Sequence, residues 1–120
     1  WLEGNFEDRT STMPPEEAIA AEADGIDFPV LACGHTHRPR LVRLRDGRLI
    51  VNPGSVGLQF VHGSPEARYA IIEGGGRTWS VNLRAIGYDC EGAAAQAARN
   101  GFPQWRDALL TGWTGPEGLF

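Results

Sequence analysis

The sequence predicts an α/β fold, an α+β sandwich in which helices flank a mixed β-sheet. Three observations predict it. Prolines followed by acidic residues favour a helix over residues 15–23. A short apolar run over 28–33 is typical of a buried strand. Asp46-Gly47 stands between two apolar segments and predicts a hairpin turn.

The hairpin strands are expected over 41–44 and 48–52. If Arg45 pairs with Arg48, then Leu44 faces Leu49 on an apolar face of the hairpin. The arginines of the hairpin then share the opposite, solvated face.

The second half of the chain predicts two strands and two helices. Trp79, Val81 and Leu83 alternate with polar residues, which predicts a half-buried strand. The expected elements are strands over 68–73 and 78–86 and helices over 88–99 and 103–110. The resulting order is helix, strand, hairpin, strand, strand, helix, helix, with a sheet that lacks further strands at its edge.

Length and composition indicate part of one domain. The chain has 120 residues, enough for a single core, and we expect a loop over 1–14 and a frayed tail over 113–120. It begins with a tryptophan rather than a methionine, so we expect a fragment of a longer protein.

The net charge of −4 argues against a general binder of nucleic acid or anionic membranes. No apolar run approaches the 18 residues or so of a membrane span. The two cysteines are too few for a disulfide framework, so the default location is the cytoplasm.

Two histidines carry the strongest chemical signal. His35 and His37 follow the predicted strand over 28–33, and in an extended segment they would project to the same side. Gly34 before them would let other backbone approach closely. Spacing alone leaves two interpretations open, a metal site or a pair of surface histidines in a loop.

Two motifs together resemble a known family. Residues 33–39 (CGHTHRP), then a hairpin, then residues 51–57 (VNPGSVG) are similar to the C-terminal half of the calcineurin-like metallophosphoesterases, closest to the small bacterial phosphodiesterase type. The resemblance covers residues 26–112. It implies that the chain is the C-terminal part of a four-layer metallophosphoesterase fold.

The resemblance also implies a site with two divalent metal ions. Carried over, His35 would bind one ion and His37 its neighbour, and imidazole ligands suit Mn, Fe, Zn or Ni. Arg38 would be a possible substrate contact. The residues expected to form the surrounding turns, or to orient the ligands, are Gly34, Asn52, Gly54 and Ser55.

The departures from the family pattern concern the remaining ligands. The upstream motifs D-x-H, G-D and G-N-H-D/E are absent, and Phe6 stands where the third of these needs a histidine. His62 follows the G-H-x-H motif instead of preceding it, so a solvent-exposed or rim position is expected for it. The catalytic residues are therefore expected upstream of this chain.

The leading hypothesis is a cytoplasmic hydrolase that cleaves phosphodiesters or phosphomonoesters, of which these 120 residues alone would be inactive. Its expected partners are a phosphate ester substrate and either a second copy or a complementary N-terminal fragment. The alternatives are a non-catalytic scaffold or interaction protein of the same fold, and a stand-alone domain with a single-metal or structural site. The sequence does not select the substrate, the metal or the oligomeric state.

Overall fold

A computed structural model describes residues 12–58, 60–61, 63–76 and 78–113. Most of the predicted N-terminal loop, nearly all of the predicted tail, and His62 lie outside the described residues. The elements follow the predicted order. They are α1 (Glu16–Glu22), β1 (Val30–Ala32), β2 (Arg40–Arg43), β3 (Leu49–Asn52), β4 (Ala67–Gly75), β5 (Thr78–Ile86), α2 (Cys90–Arg99), a 3-10 turn (Pro103–Trp105) and α3 (Arg106–Thr111).

The first sheet is mixed, as predicted, with the strand order β1-β3-β2. β3 pairs parallel with β1 and antiparallel with β2, and all four of its residues are buried. Ile19 of α1 and Ala23, which follows the helix, pack on this sheet against a cluster of buried side chains, Leu31, Leu44 and Ile50. This core fixes the strand ends from which the candidate site projects.

The predicted register of the hairpin is wrong by one residue. Val42 pairs with Ile50 and Leu44 lies opposite Arg48, because the connection has three residues rather than two. Gly47 takes a φ of 94° at the last position of that loop, the geometry of a type I turn followed by a left-handed residue.

The shifted register also corrects the predicted arginine face. Arg48 turns towards α1, and its Nη1 donates hydrogen bonds to the carbonyls of Ala23 and Ile26 at 2.7 and 2.9 Å. Arg45 extends to the carboxylates of Glu16 and Glu17. The hairpin arginines therefore do not share one solvated face.

A second, separate sheet consists of β4 and β5, paired antiparallel over their whole length. The predicted alternation of β5 is confirmed: Trp79, Val81 and Leu83 are half-buried, and the polar residues between them are exposed. On β4, Ile71 and Ile72 are exposed. The two-strand sheet thus leaves part of its apolar surface exposed.

The C-terminal helices form a small second core. Asp89 caps α2 by accepting a hydrogen bond from the Gly92 amide at 2.9 Å, as expected at a helix N-terminus. Ala94, Ala97 and Leu109 are buried together, and Leu58 packs against them. The described helices include none that is long and apolar enough to cross a membrane.

Candidate metal-binding site

The two sequence motifs meet at one edge of the mixed sheet. Gly34 to His37 follow the carboxyl end of β1, and Asn52 is the last residue of β3. Because β1 and β3 are parallel, both motifs leave the sheet at the same edge. Functional sites in α/β proteins are commonly built at such strand ends.

His37 is held by two contacts. Its Nδ1 lies 2.7 Å from the carbonyl oxygen of Leu58, and its ring stacks on Phe60 with centroids 5.3 Å apart. A carbonyl oxygen can only accept, so Nδ1 carries the proton and donates it. In a neutral ring this leaves the lone pair on Nε2, the arrangement that metal-binding histidines use.

The backbone of the two histidines is not extended. His35 has a φ of 76° and His37 a φ of 58°, and they are the positive-φ residues other than glycine in the part of the chain that the structure describes. Left-handed backbone costs an L-residue about 1–2 kcal/mol. The period-two argument for the pair is therefore wrong, since a tight turn rather than a strand presents them.

Asn52 connects the two motifs. The side chain is buried, with 1% of its surface exposed. Its Nδ2 donates to the Gly34 carbonyl at 3.3 Å and to the Thr36 hydroxyl oxygen at 3.0 Å, while its Oδ1 accepts from the Gly54 amide at 3.0 Å. Both ends of the amide group are in use, as a buried polar group requires.

The predicted turn after Asn52 is confirmed. Gly54 takes a φ of 89°, and a Cβ added there would lie 3.2 Å from the Cβ of Arg68 and 3.4 Å from the Cδ of Pro39. The Ser55 hydroxyl accepts from the Gly57 amide at 3.2 Å. Glycine is thus favoured at position 54 both by its backbone conformation and by the close approach of two side chains.

Two expectations about neighbouring residues have different outcomes. A Cβ added at Gly34 would meet nothing within 4 Å, so the prediction that Gly34 allows a close backbone approach is wrong. Arg38 is half-buried beside His37, and its contact with a substrate stays a prediction.

Cys33 lies directly before the turn. Its amide and its Sγ both donate to the Val51 carbonyl, at 2.8 and 3.4 Å. Burial raises the pKa of the Cys33 thiol, so the side chain remains a neutral thiol that joins β1 to β3.

Three residues that contact the candidate site were not predicted from the sequence. Thr36, Leu58 and Phe60 contact the site residues. Leu58 contributes only its backbone carbonyl, which no side-chain pattern marks. Thr36 stands between the two histidines, so its position was a usable signal.

The described residues do not include a complete set of metal ligands. Within the ranges that the structure covers, no three His, Cys, Asp or Glu side chains are grouped closely enough to hold one metal ion. His35 and His37 are therefore candidates for two ligands of a larger set.

Comparison with known protein families places the two motifs in one family match. The sequence profile of the calcineurin-like phosphoesterase superfamily domain matches residues 8–75, which include both turns of the site. No curated protein matches the chain significantly. The chain belongs to the calcineurin-like phosphoesterase superfamily.

Proposed function

We propose that this domain is part of a metal-dependent phosphoesterase that hydrolyses phosphodiesters or phosphomonoesters, with His35 and His37 as ligands in a two-metal centre. The observation that carries the proposal is the 2.7 Å hydrogen bond from His37 Nδ1 to the Leu58 carbonyl. That bond selects the tautomer whose Nε2 can bind a metal, in a chain of the phosphoesterase superfamily.

The donor chemistry fits divalent transition metals. Imidazole nitrogen binds Mn, Fe, Zn or Ni, and the exposed His35 and half-buried His37 are both accessible at the sheet edge. Divalent ions in such a site would neutralise charge on the phosphoryl oxygens and lower the pKa of the attacking water. Arg38, which follows His37 in the sequence, would add a positive charge for the substrate phosphate.

Two imidazoles are fewer ligands than a two-metal centre takes. In this proposal the remaining ligands, including the carboxylate between the ions, come from residues beyond those that the structure describes. They would lie upstream in the same polypeptide or on a complementary fragment, and residues 1–120 alone would not catalyse efficiently. We also propose that the protein is cytoplasmic.

A non-catalytic scaffold is the second candidate. It is favoured by the exposed apolar side chains on β4, Ile71 and Ile72, since such surfaces often mark contacts with other polypeptides. A scaffold would not need His37 held in a metal-binding tautomer, so the metal dependence of hydrolysis distinguishes the two candidates.

The test is hydrolysis of bis-p-nitrophenyl phosphate by the full polypeptide, with Mn²⁺ and after chelation. We expect activity with Mn²⁺, loss of it with chelator, and at least about a 100-fold lower kcat in His35→Ala and His37→Ala. His62→Ala is the matched control, because it removes the remaining histidine and should leave kcat unchanged. Hydrolysis that survives the loss of both His35 and His37 would refute the proposal.

A further inference from the structure

We propose that Asn52 is a positioning residue: it holds the turn of Gly34 to His37 in its left-handed conformations and so sets where both histidines stand. The consequence for metal binding rests on the function proposed above. The consequence for the turn itself does not depend on it.

The backbone conformation of the turn of Gly34 to His37 must be stabilised by contacts with other residues. Two left-handed histidines separated by one residue, at φ 76° and 58°, are each unfavourable for a residue with a Cβ. Such conformations persist where the surrounding structure over-determines them. The turn follows β1 directly but lies outside its pairing with β3, so the sheet ladder does not supply that constraint.

Asn52 supplies it from the neighbouring strand. Its Nδ2 donates to both the Gly34 carbonyl and the Thr36 hydroxyl oxygen, and these two groups bracket His35. Thr36 is also the residue between the two histidines. One amide group therefore holds the backbone carbonyl before the first histidine and the side chain of the residue between the two histidines.

The position of Asn52 makes these bonds rigid. It is the last residue of β3, which is paired on both sides, with β1 and β2. Its side chain is 1% exposed, so water does not compete for the amide. Its Oδ1 is bound to the Gly54 amide at 3.0 Å, which fixes the orientation in which Nδ2 faces the histidine turn.

Substitutions can distinguish the contribution of Nδ2 of Asn52 from that of its Oδ1. Asn52→Asp keeps an acceptor for the Gly54 amide but removes both N–H donors to the histidine turn. Thr36→Val removes one of the two acceptors and keeps the branched shape, whereas Thr36→Ser keeps the hydroxyl. Ser55→Ala removes a turn bond, to Gly57, that does not involve the histidine turn.

The first measurement needs no metal. The ¹³Cα and ¹³Cβ shifts and the HN–Hα couplings of His35 and His37 report their φ, and are compared among the four variants by NMR. We expect Asn52→Asp and Thr36→Val to move these signals for both histidines towards extended values. Thr36→Ser and Ser55→Ala should leave them in place. Unmoved signals in folded Asn52→Asp or Thr36→Val protein would overturn the inference.

The second measurement is Mn²⁺ affinity by calorimetry in the full polypeptide, with the melting temperature recorded for each variant. We expect the Kd to weaken about 10–100-fold in Asn52→Asp and less in Thr36→Val. A lower melting temperature with an unchanged Kd would show a merely structural role and overturn the inference. If the wild type itself does not bind Mn²⁺, the proposed function fails, and the NMR comparison alone decides the inference. If Asn52→Asp does not fold, the comparison of Thr36→Val with Thr36→Ser decides the inference.

Discussion

The two sheets of this molecule differ in how much of their apolar surface they bury. In the mixed sheet every residue of β3 is buried, and α1 packs on its face. In the β4–β5 sheet the exposed fractions of the large apolar side chains Tyr69, Ile71, Ile72 and Ile86 lie between 37% and 50%. The mixed sheet contributes Leu31 and Ile50 to a buried cluster, whereas the described residues of β4 and β5 contribute none to the buried clusters.

The difference explains where the candidate site stands. Both histidines and Asn52 extend from the mixed sheet, so their geometry depends on the better-packed part of the molecule. The two sheets meet where the Arg68 amide donates to the Ser55 carbonyl at 2.8 Å. The turn over 52–55 thus begins at the end of the mixed sheet and is hydrogen-bonded to the other sheet at Ser55.

The largest expected effect tests this difference with one type of substitution in each sheet. Ile50→Ala, at a position with 0% exposure, should lower the free energy of unfolding by about 2–5 kcal/mol because it leaves a cavity. Ile72→Ala, at 39% exposure, should cost about 1 kcal/mol or less. Urea denaturation measures both. Equal losses would show that the two sheets are equally well packed and would break the comparison.

A smaller effect is expected at the turn between the sheets. Gly54→Ala must accommodate both left-handed backbone and contacts with Arg68 and Pro39, and should cost about 2–3 kcal/mol. Gly47→Ala is the matched control, since its φ is 94° but a Cβ there meets nothing within 4 Å, and it should cost about 1–2 kcal/mol. Thermal unfolding of the two variants measures the difference. Equal melting temperatures would mean that packing at position 54 contributes nothing.

Arg48 tests how α1 is attached to the mixed sheet. Its guanidinium bonds two carbonyls at the end of α1 and the carboxylate of Asp46, so Arg48→Ala should lower the free energy of unfolding by about 1–2 kcal/mol. Arg45→Ala should change it by less than about 0.5 kcal/mol, because its side chain is 79% exposed. An equal loss of unfolding free energy in both variants would support the prediction that the hairpin arginines share one solvated face.

The smallest effect concerns pH and the thiol that joins β1 to β3. Burial raises the pKa of Cys33, so the neutral thiol stabilises the fold at pH values below the ordinary cysteine pKa. This stabilisation is lost as the pH rises through the raised pKa, since the unfolded chain then gives up its proton first. Between the ordinary cysteine pKa and the raised pKa of Cys33, the unfolding free energy of the wild type should therefore fall more steeply with pH than that of Cys33→Ser. Parallel pH curves would contradict the assignment.

Much of the fold could be predicted from the sequence because its patterns are local. The acidic start of α1 and the alternation in β5 are each decided by neighbouring residues. The register of the hairpin could not be predicted from Asp46-Gly47 alone. The same dipeptide serves loops of two or three residues, and the packing of Leu44 against α1 decides between them.

Only some residues of the candidate site could be identified from the sequence, and their conformation could not. The two motifs identified His35, His37 and Asn52, and the parallel pairing of β1 with β3 brings them to one edge. The left-handed histidines and the Leu58 carbonyl depend on contacts between residues 16 to 21 positions apart. No local pattern specifies such contacts.

The central claim is that the mixed sheet presents His37 with Nδ1 protonated and Nε2 ready for a metal. It is tested most directly by long-range ¹H–¹⁵N spectra of ring-¹⁵N-labelled histidine in the full polypeptide during a Zn²⁺ titration. We expect the Nε2 signal of His37 to shift while Nδ1 keeps its proton, with a parallel shift in a ring nitrogen of His35. A Zn²⁺-dependent shift at Nδ1 of His37, or no shift in either histidine, would contradict the claim.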